Sequence, residues 1–252
     1  MYERTGRYYA LFGPTAVTTP AEDAFFRHWS ADRRRALDLG AGLCGPATLL
    51  ASFGLEVLAI EPSAVLATLA LDRLSRGEEA AQKVTLVEGD VSALNEDYRA
   101  DIIVLRSVWM LIDDEARATA LAAMRKHAAP GAILIVDART VALDWADHPG
   151  PQEEKHIGHT LYRRRTRYSR RENGDTEVYW SIEVERFGRH IEFVDETFVV
   201  RADTAHGIAA DLMRAGWRIE RIFRGYDLDA PYVEGAPMIV IVARDEPQKE
   251  EA

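Results

Sequence analysis

The sequence predicts an α/β fold, a doubly wound sheet of seven strands with a three-stranded antiparallel insertion before the last helix. Three observations carry this reading. Between Arg35 and Asp137, short and continuously apolar runs alternate with helix-spaced segments, as in a parallel sheet covered by helices on both faces. At about 155–200 the texture switches to period-two alternation punctuated by Asn173-Gly174 and Gly188-Arg189, which marks antiparallel strands joined by tight turns. A helix pattern and two more apolar runs then complete the sheet.

Residues 1–30 read as a helical cap ahead of a domain spanning 31–252. Tyr8, Tyr9, Phe12, Phe25, Phe26 and Trp29 are its apolar anchors, and Pro14 and Pro20 interrupt any long helix. Strands are expected at 36–39, 56–60, 84–87, 101–105 and 132–137, and helices at 46–53, 63–76 and 114–127. The insertion places strands at 160–168, 177–187 and 190–200. Arg163, Arg165 and Arg167 share one face of the first of these, opposite Tyr162, Thr166 and Tyr168. Glu177, Glu183 and Glu185 alternate with Val178, Trp180, Ile182 and Val184 in the second, so cross-strand ion pairs on a solvated face are expected. A helix over 204–215 follows, with Asp203 as N-cap and Gly216 as C-cap. The last strands are 218–224 and 238–243.

Length and charge limit the function classes. The chain has 252 residues, a net charge of −10 and one cysteine. One cysteine forms no internal disulfide and supports no Cys-rich zinc site. The start has no signal-like apolar run, and no stretch approaches the ~18 apolar residues of a membrane span. The cytoplasm is therefore the expected location, with no membrane partner. A net-acidic chain binds nucleic acid poorly. The basic run 163–171 fits a charged strand face that the following glutamates neutralise, so no nucleic-acid partner is expected. Seven histidines are scattered without metal-ligand spacing, and no metal is expected.

The chemistry concentrates at strand ends. The first strand finishes at Asp38, and Gly40-Ala41-Gly42 then leads into a helix that opens with Gly45 and Pro46. Glycines there let the backbone approach a ligand in the crevice at the carboxyl ends of the strands. Glu61, before Pro62, ends the second strand, where an acid can accept from both hydroxyls of an adenosine ribose. Asp90, before Val91, lies just past the third strand, where a carboxylate could receive an adenine amino group.

These segments resemble class I S-adenosylmethionine-dependent methyltransferases. The Asp-x-Gly-x-Gly loop, the acidic end of strand two, Gly89-Asp90 after strand three and Pro130-Gly131 before strand five stand in that family's order. The insertion, with Arg224-Gly-Tyr-Asp227 and the run from Pro237 to Arg244, is similar to small-molecule N-methyltransferases acting on amino sugars or amino acids. The resemblance implies a Rossmann-like methyltransferase sheet and S-adenosylmethionine as cofactor. It implies that Gly40, Ala41 and Gly42 meet the methionine part, Asp38 its ammonium, Glu61 and Pro62 the ribose, and Asp90 and Val91 the adenine. Arg106 and Ser107, after strand four, would line the cleft. One position departs: Cys44 stands where the family commonly has a third glycine.

Methyl transfer from a sulfonium needs alignment and exclusion of water more than acid–base groups, so no catalytic residue is singled out. The acceptor is expected to be a small molecule under the insertion, with Tyr8, Tyr9, His148, His156, His159, Tyr162, Trp180 and Tyr226 as pocket candidates. A homodimer through the insertion is compatible with the sequence. A nicotinamide-dependent oxidoreductase would require a full Gly-x-Gly-x-x-Gly and a parallel sheet to the end. A non-catalytic S-adenosylmethionine-binding sensor or partner subunit stays open at this level.

Overall fold

The computed structural model describes residues 2–12, 19–77, 79–139 and 149–246. The chain divides into two compact units, Met1–Thr15 with Val141–Ala202, and Ala16–Thr140 with Asp203–Ala252.

The larger unit carries the seven-stranded sheet. Its parallel strands are β1 (Arg35–Leu39), β2 (Glu56–Glu61), β3 (Val84–Glu88), β4 (Ala100–Leu105) and β5 (Ala128–Arg139). The strand order is β10-β11-β5-β4-β1-β2-β3, with β10 (Trp217–Arg224) and β11 (Met238–Asp245) closing it as an antiparallel pair. The winding therefore reverses between β1 and β4, and open α/β sheets bind ligands at such a reversal.

The continuous apolar character of the strands has a direct cause, because both faces are covered. Ala36, Ile102, Val104, Ile133, Ile135, Val240 and Val242 pack with α2 (Pro20–Ser30) and α3 (Gly45–Ser52). Their neighbours Leu37, Ile103, Leu105, Leu134, Val136, Ile239 and Ile241 pack with α5 (Asp114–His127) and α6 (Ala205–Arg214). Helix starts are capped as the sequence chemistry dictates. Thr19 and Glu22 form a reciprocal capping box on α2, and Ser63 caps α4 (Ala64–Ser75). Thr204, rather than Asp203, caps α6 by accepting from the Gly207 N–H, and Asp203 is engaged elsewhere.

The smaller unit is one antiparallel sheet of four strands, not three: β6 (Pro149–Ile157), β7 (Thr160–Arg170), β8 (Thr176–Arg186) and β9 (Arg189–Val200), in that order. β6 has no apolar alternation to reveal it. It is an edge strand, where proline is tolerated, and its acids meet β7 arginines, Glu153 on Arg164 and Glu154 on Arg163. Arg163 also bonds Glu183 and Glu185 at 3.0 and 3.3 Å, so the expected cross-strand charge pairing is present. The other face carries an apolar cluster, with Ile182, Val184 and Val194 packed under Tyr8 and Phe12. Phe12 belongs to the short α1 (Tyr9–Phe12). The first thirty residues thus split, with 2–12 on the four-stranded sheet and α2 in the larger unit.

Among the described residues no helix is long and apolar enough to cross a membrane.

Candidate cofactor-binding site

Five sequence-singled positions converge where β1 and β2 end. Gly40 and Gly42 adopt φ values of +68° and +55°. Their reasons differ. A Cβ on Gly40 would lie 2.5 Å from Val108 Cγ2, whereas a Cβ on Gly42 would meet nothing within 4 Å. Gly40 therefore admits the loop after β4, and Gly42 leaves its backbone open to a ligand. The Gly40 and Ala41 N–H groups both donate to the Ile60 carbonyl at 2.9 Å. Glu61 fastens the rest: its carboxylate accepts from Gly42 N–H at 2.7 Å and Ser63 N–H at 2.8 Å, and its carbonyl accepts from Gly89 N–H at 3.0 Å. Burial holds the Glu61 carboxyl above the usual carboxylate range, against the pull of those two N–H donors.

Asp38 is fully buried, and its Oδ2 accepts from Ala47 N–H at 3.1 Å in the first turn of α3. Burial pushes its carboxyl up to about 7, opposed by the Ala47 N–H and by Arg106. Asp90 is exposed beyond β3 and accepts from the Ser92 hydroxyl and N–H at 2.6 and 2.8 Å, which hold its carboxyl below the usual range. Pro62 is exposed and Val91 half-buried beside these acids.

Cys44 keeps the left-handed backbone that a third glycine would supply, at φ +57°, and its thiol is buried. Burial, then the nearby Asp38, pushes that thiol up to about 12. Cys44 is a packed side chain, not a nucleophile.

A second cluster forms where β4 and β5 end, across the reversal. Arg106 Nη2 donates to Glu22 Oε1 at 2.7 Å, and its guanidinium lies 6.0 Å from the Tyr226 ring centre. Ser107, at φ +58°, donates its N–H to Asp137 Oδ1. The Tyr226 hydroxyl donates to Asp137 Oδ2 at 2.7 Å. Sequence reading passed over Glu22 and Asp137. The available signal was that Asp137, like Asp38 and Glu61, is an acid near the end of a buried strand.

The pocket candidates separate. Tyr226 belongs to the larger unit, buried against Phe25 and Phe26 with ring centres 5.3 Å away. The others that are described belong to the smaller unit. Tyr8 donates to Glu192 at 2.6 Å and lies 6.0 Å from Tyr162, and Tyr9 stacks edge-on to Tyr2 at 5.0 Å. Trp180 carries the Arg164 guanidinium at 5.0 Å. His156 and His159 are exposed, His159 stacked on Phe187. His148 lies outside the described residues. Among the described residues no group of three or more His, Cys, Asp or Glu side chains could hold a metal ion.

Comparison with known proteins agrees with this architecture. Residues 36–131, from β1 into β5, match the family model of a methyltransferase domain. No curated protein sequence matches the chain. The chain shares its fold over nearly its whole length with solved structures. A S-adenosylmethionine-dependent methyltransferase from Clostridium acetobutylicum is 16% identical, with 94% of this chain and 96% of that one covered and a TM-score of 0.75. An amino pentose methyltransferase from Micromonospora echinaspora, solved with S-adenosylmethionine bound, is 20% identical, with 94% of each covered and a TM-score of 0.69. A sugar N-methyltransferase from Streptoalloteichus is 16% identical, with 95% and 93% covered and a TM-score of 0.73.

Proposed function

We propose that this enzyme methylates a nitrogen or oxygen of a small polar molecule, with an amine-bearing sugar or amino acid as the favoured class. The observation that carries the acceptor class is the four-stranded insertion between β5 and α6. It falls within an alignment spanning 94% of both this chain and the amino pentose methyltransferase. The sugar N-methyltransferase supports the same class.

The residues at the β1–β2 and β4–β5 ends suit the cofactor. Gly42 is open where a Cβ would stand, and Arg106 Nε is buried without a hydrogen-bond partner, a donor left for a ligand. The Glu61 carboxylate accepts two N–H groups and keeps lone pairs for two ribose hydroxyls. The buried acids Asp38, Glu61 and Asp137 outnumber Arg106, which favours a ligand bearing a sulfonium and an ammonium. In this reading Gly40, Ala41, Gly42 and Asp38 hold the methionine part, Glu61 and Pro62 the ribose, Asp90 and Val91 the adenine, and Arg106 and Ser107 the cleft wall. Bound S-adenosylmethionine supplies an activated methyl. The chain's own work is to fix the acceptor in line with that methyl and to keep water away. Tyr8, Tyr9, His148, His156, His159, Tyr162 and Trp180 are the residues proposed to meet the acceptor.

Calorimetric titration of the protein with S-adenosylhomocysteine, with NAD as control, tests the cofactor half. Micromolar binding of the first alone is expected, and binding of neither overturns it. Turnover to S-adenosylhomocysteine over a panel of amino sugars, amino acids and their hydroxyl analogues tests the acceptor half.

A further inference from the structure

Asp137 enters the assignment above only as one of the buried acids, yet it is fully buried and sits between two donors. The Tyr226 hydroxyl donates to one of its oxygens at 2.7 Å, and the Ser107 N–H donates to the other. Ser107 stands at φ +58°. That region is costly for a residue with a Cβ, and such a residue stays there only where its surroundings hold it. The next residue, Val108, closes on Gly40, so tightly that one added methyl on Gly40 would fall 2.5 Å from it. The preceding residue, Arg106, is anchored to Glu22 at 2.7 Å. The loop after β4 is therefore tied down on both sides of Ser107, at the reversal between β1 and β4. Phe25 and Phe26 hold the Tyr226 ring, which gives the Tyr226–Asp137 bond a fixed geometry.

We infer that Asp137 and Tyr226 are positioning residues that hold Ser107 left-handed and thereby set the wall Val108 presents beside the glycine loop. The inference rests on the cofactor reading of that loop. Neither residue need touch a reacting atom. Their effect passes through Ser107 and Val108 to the affinity for the nucleoside ligand.

The test uses the full chain, S-adenosylhomocysteine calorimetry and thermal melting on four proteins: wild type, Tyr226→Phe, Ser107→Gly and the double variant. Tyr226→Phe removes one buried hydroxyl, and affinity is expected to fall roughly fivefold or more. Glycine adopts the left-handed backbone without an anchor, so Ser107→Gly in the Tyr226→Phe background should recover most of the lost affinity without recovering the melting temperature. Should Tyr226→Phe fold poorly, Asp137→Asn against Asp137→Ala takes its place. The amide oxygen still accepts the Ser107 N–H and should retain more affinity than alanine. Unchanged affinity in Tyr226→Phe, or losses that follow the melting temperature and resist rescue, overturn the inference. Absence of binding by the wild type instead overturns the cofactor reading, and this inference with it.

Discussion

Arg117 grips Asp203 through two parallel hydrogen bonds, Nη1 to Oδ1 at 2.8 Å and Nη2 to Oδ2 at 2.7 Å, with both side chains nearly buried. The same guanidinium donates to the Trp109 carbonyl at 2.9 Å and lies 4.8 Å from the Trp109 ring centre. One side chain on α5 thus joins the residue ahead of α6 to the loop after β4. Removing one partner strands the other's charge in a low-dielectric setting, which costs more than the pair contributes. Arg117→Ala is expected to destabilise the protein by about 3–5 kcal/mol, and the double variant with Asp203→Ala by less than the sum of the single losses. Denaturant unfolding of the four proteins checks this, and additive losses would contradict it.

The two loop glycines should respond differently to one methyl. Gly40→Ala drives a Cβ against Val108 as well as straining φ, and a stability loss of roughly 1–3 kcal/mol is expected. Gly42→Ala meets no atom within 4 Å, so only the backbone strain of about 1 kcal/mol applies to the free protein. Its methyl occupies the open side of the loop, and S-adenosylhomocysteine affinity should fall at least about tenfold, as for loss of a charged hydrogen bond in Glu61→Ala. Melting and calorimetry together separate the cases. A Gly42→Ala protein that binds normally would move the ligand elsewhere.

How much of this was legible follows from what each element buries. β1, β2, β4 and β5 are readable because strands covered on both faces are mostly apolar, as Ile102 to Leu105 are, whereas β3 at the sheet edge is only partly buried. β8 is readable because its glutamates alternate with Val178, Trp180, Ile182 and Val184, and β7 because Arg163, Arg165 and Arg167 share one face. β6 is invisible in one dimension, since Glu153 and Glu154 acquire their purpose only beside Arg164 and Arg163. Asp203 has the composition of an N-cap, but its partner Arg117 is remote in sequence, and the adjacent Thr204 takes the cap. Glu22 and Asp137 escape for the same reason: their partners Arg106, Ser107 and Tyr226 come from other elements. Spacing finds acids at strand ends but cannot say which of them turn inward.

Cys44 tests how far a thiol in the glycine position differs from glycine. It is buried and pushed up to about 12, so the thiolate fraction at neutral pH is negligible. Native protein should resist iodoacetamide, and labelling should appear only on unfolding, as followed by intact mass. Rapid labelling of the folded protein would show the loop to be open. Cys44→Gly removes the strain at φ +57° but leaves a small void, and the two opposing effects should keep stability within about 1 kcal/mol of wild type.

Asp38 sets a pH dependence whose sign can be worked out in advance. Its folded carboxyl is raised to about 7 from an ordinary value of 3.8, chiefly by burial. Between those values the folded protein binds a proton that the unfolded chain has released. Stability contributed by this group is therefore full below the unfolded value and declines as pH rises towards 7. The slope is at most about 1.4 kcal/mol per pH unit for one proton. Glu61 and Asp137, also raised by burial, act in the same direction. In Asp38→Asn, which keeps an acceptor for the Ala47 N–H and has no proton to lose, the decline from pH 4 to 7 should be shallower. Melting temperatures of the two proteins across that range decide it. Parallel curves would mean that Asp38 is ionised in the fold throughout, held so by Ala47 and Arg106 against its burial.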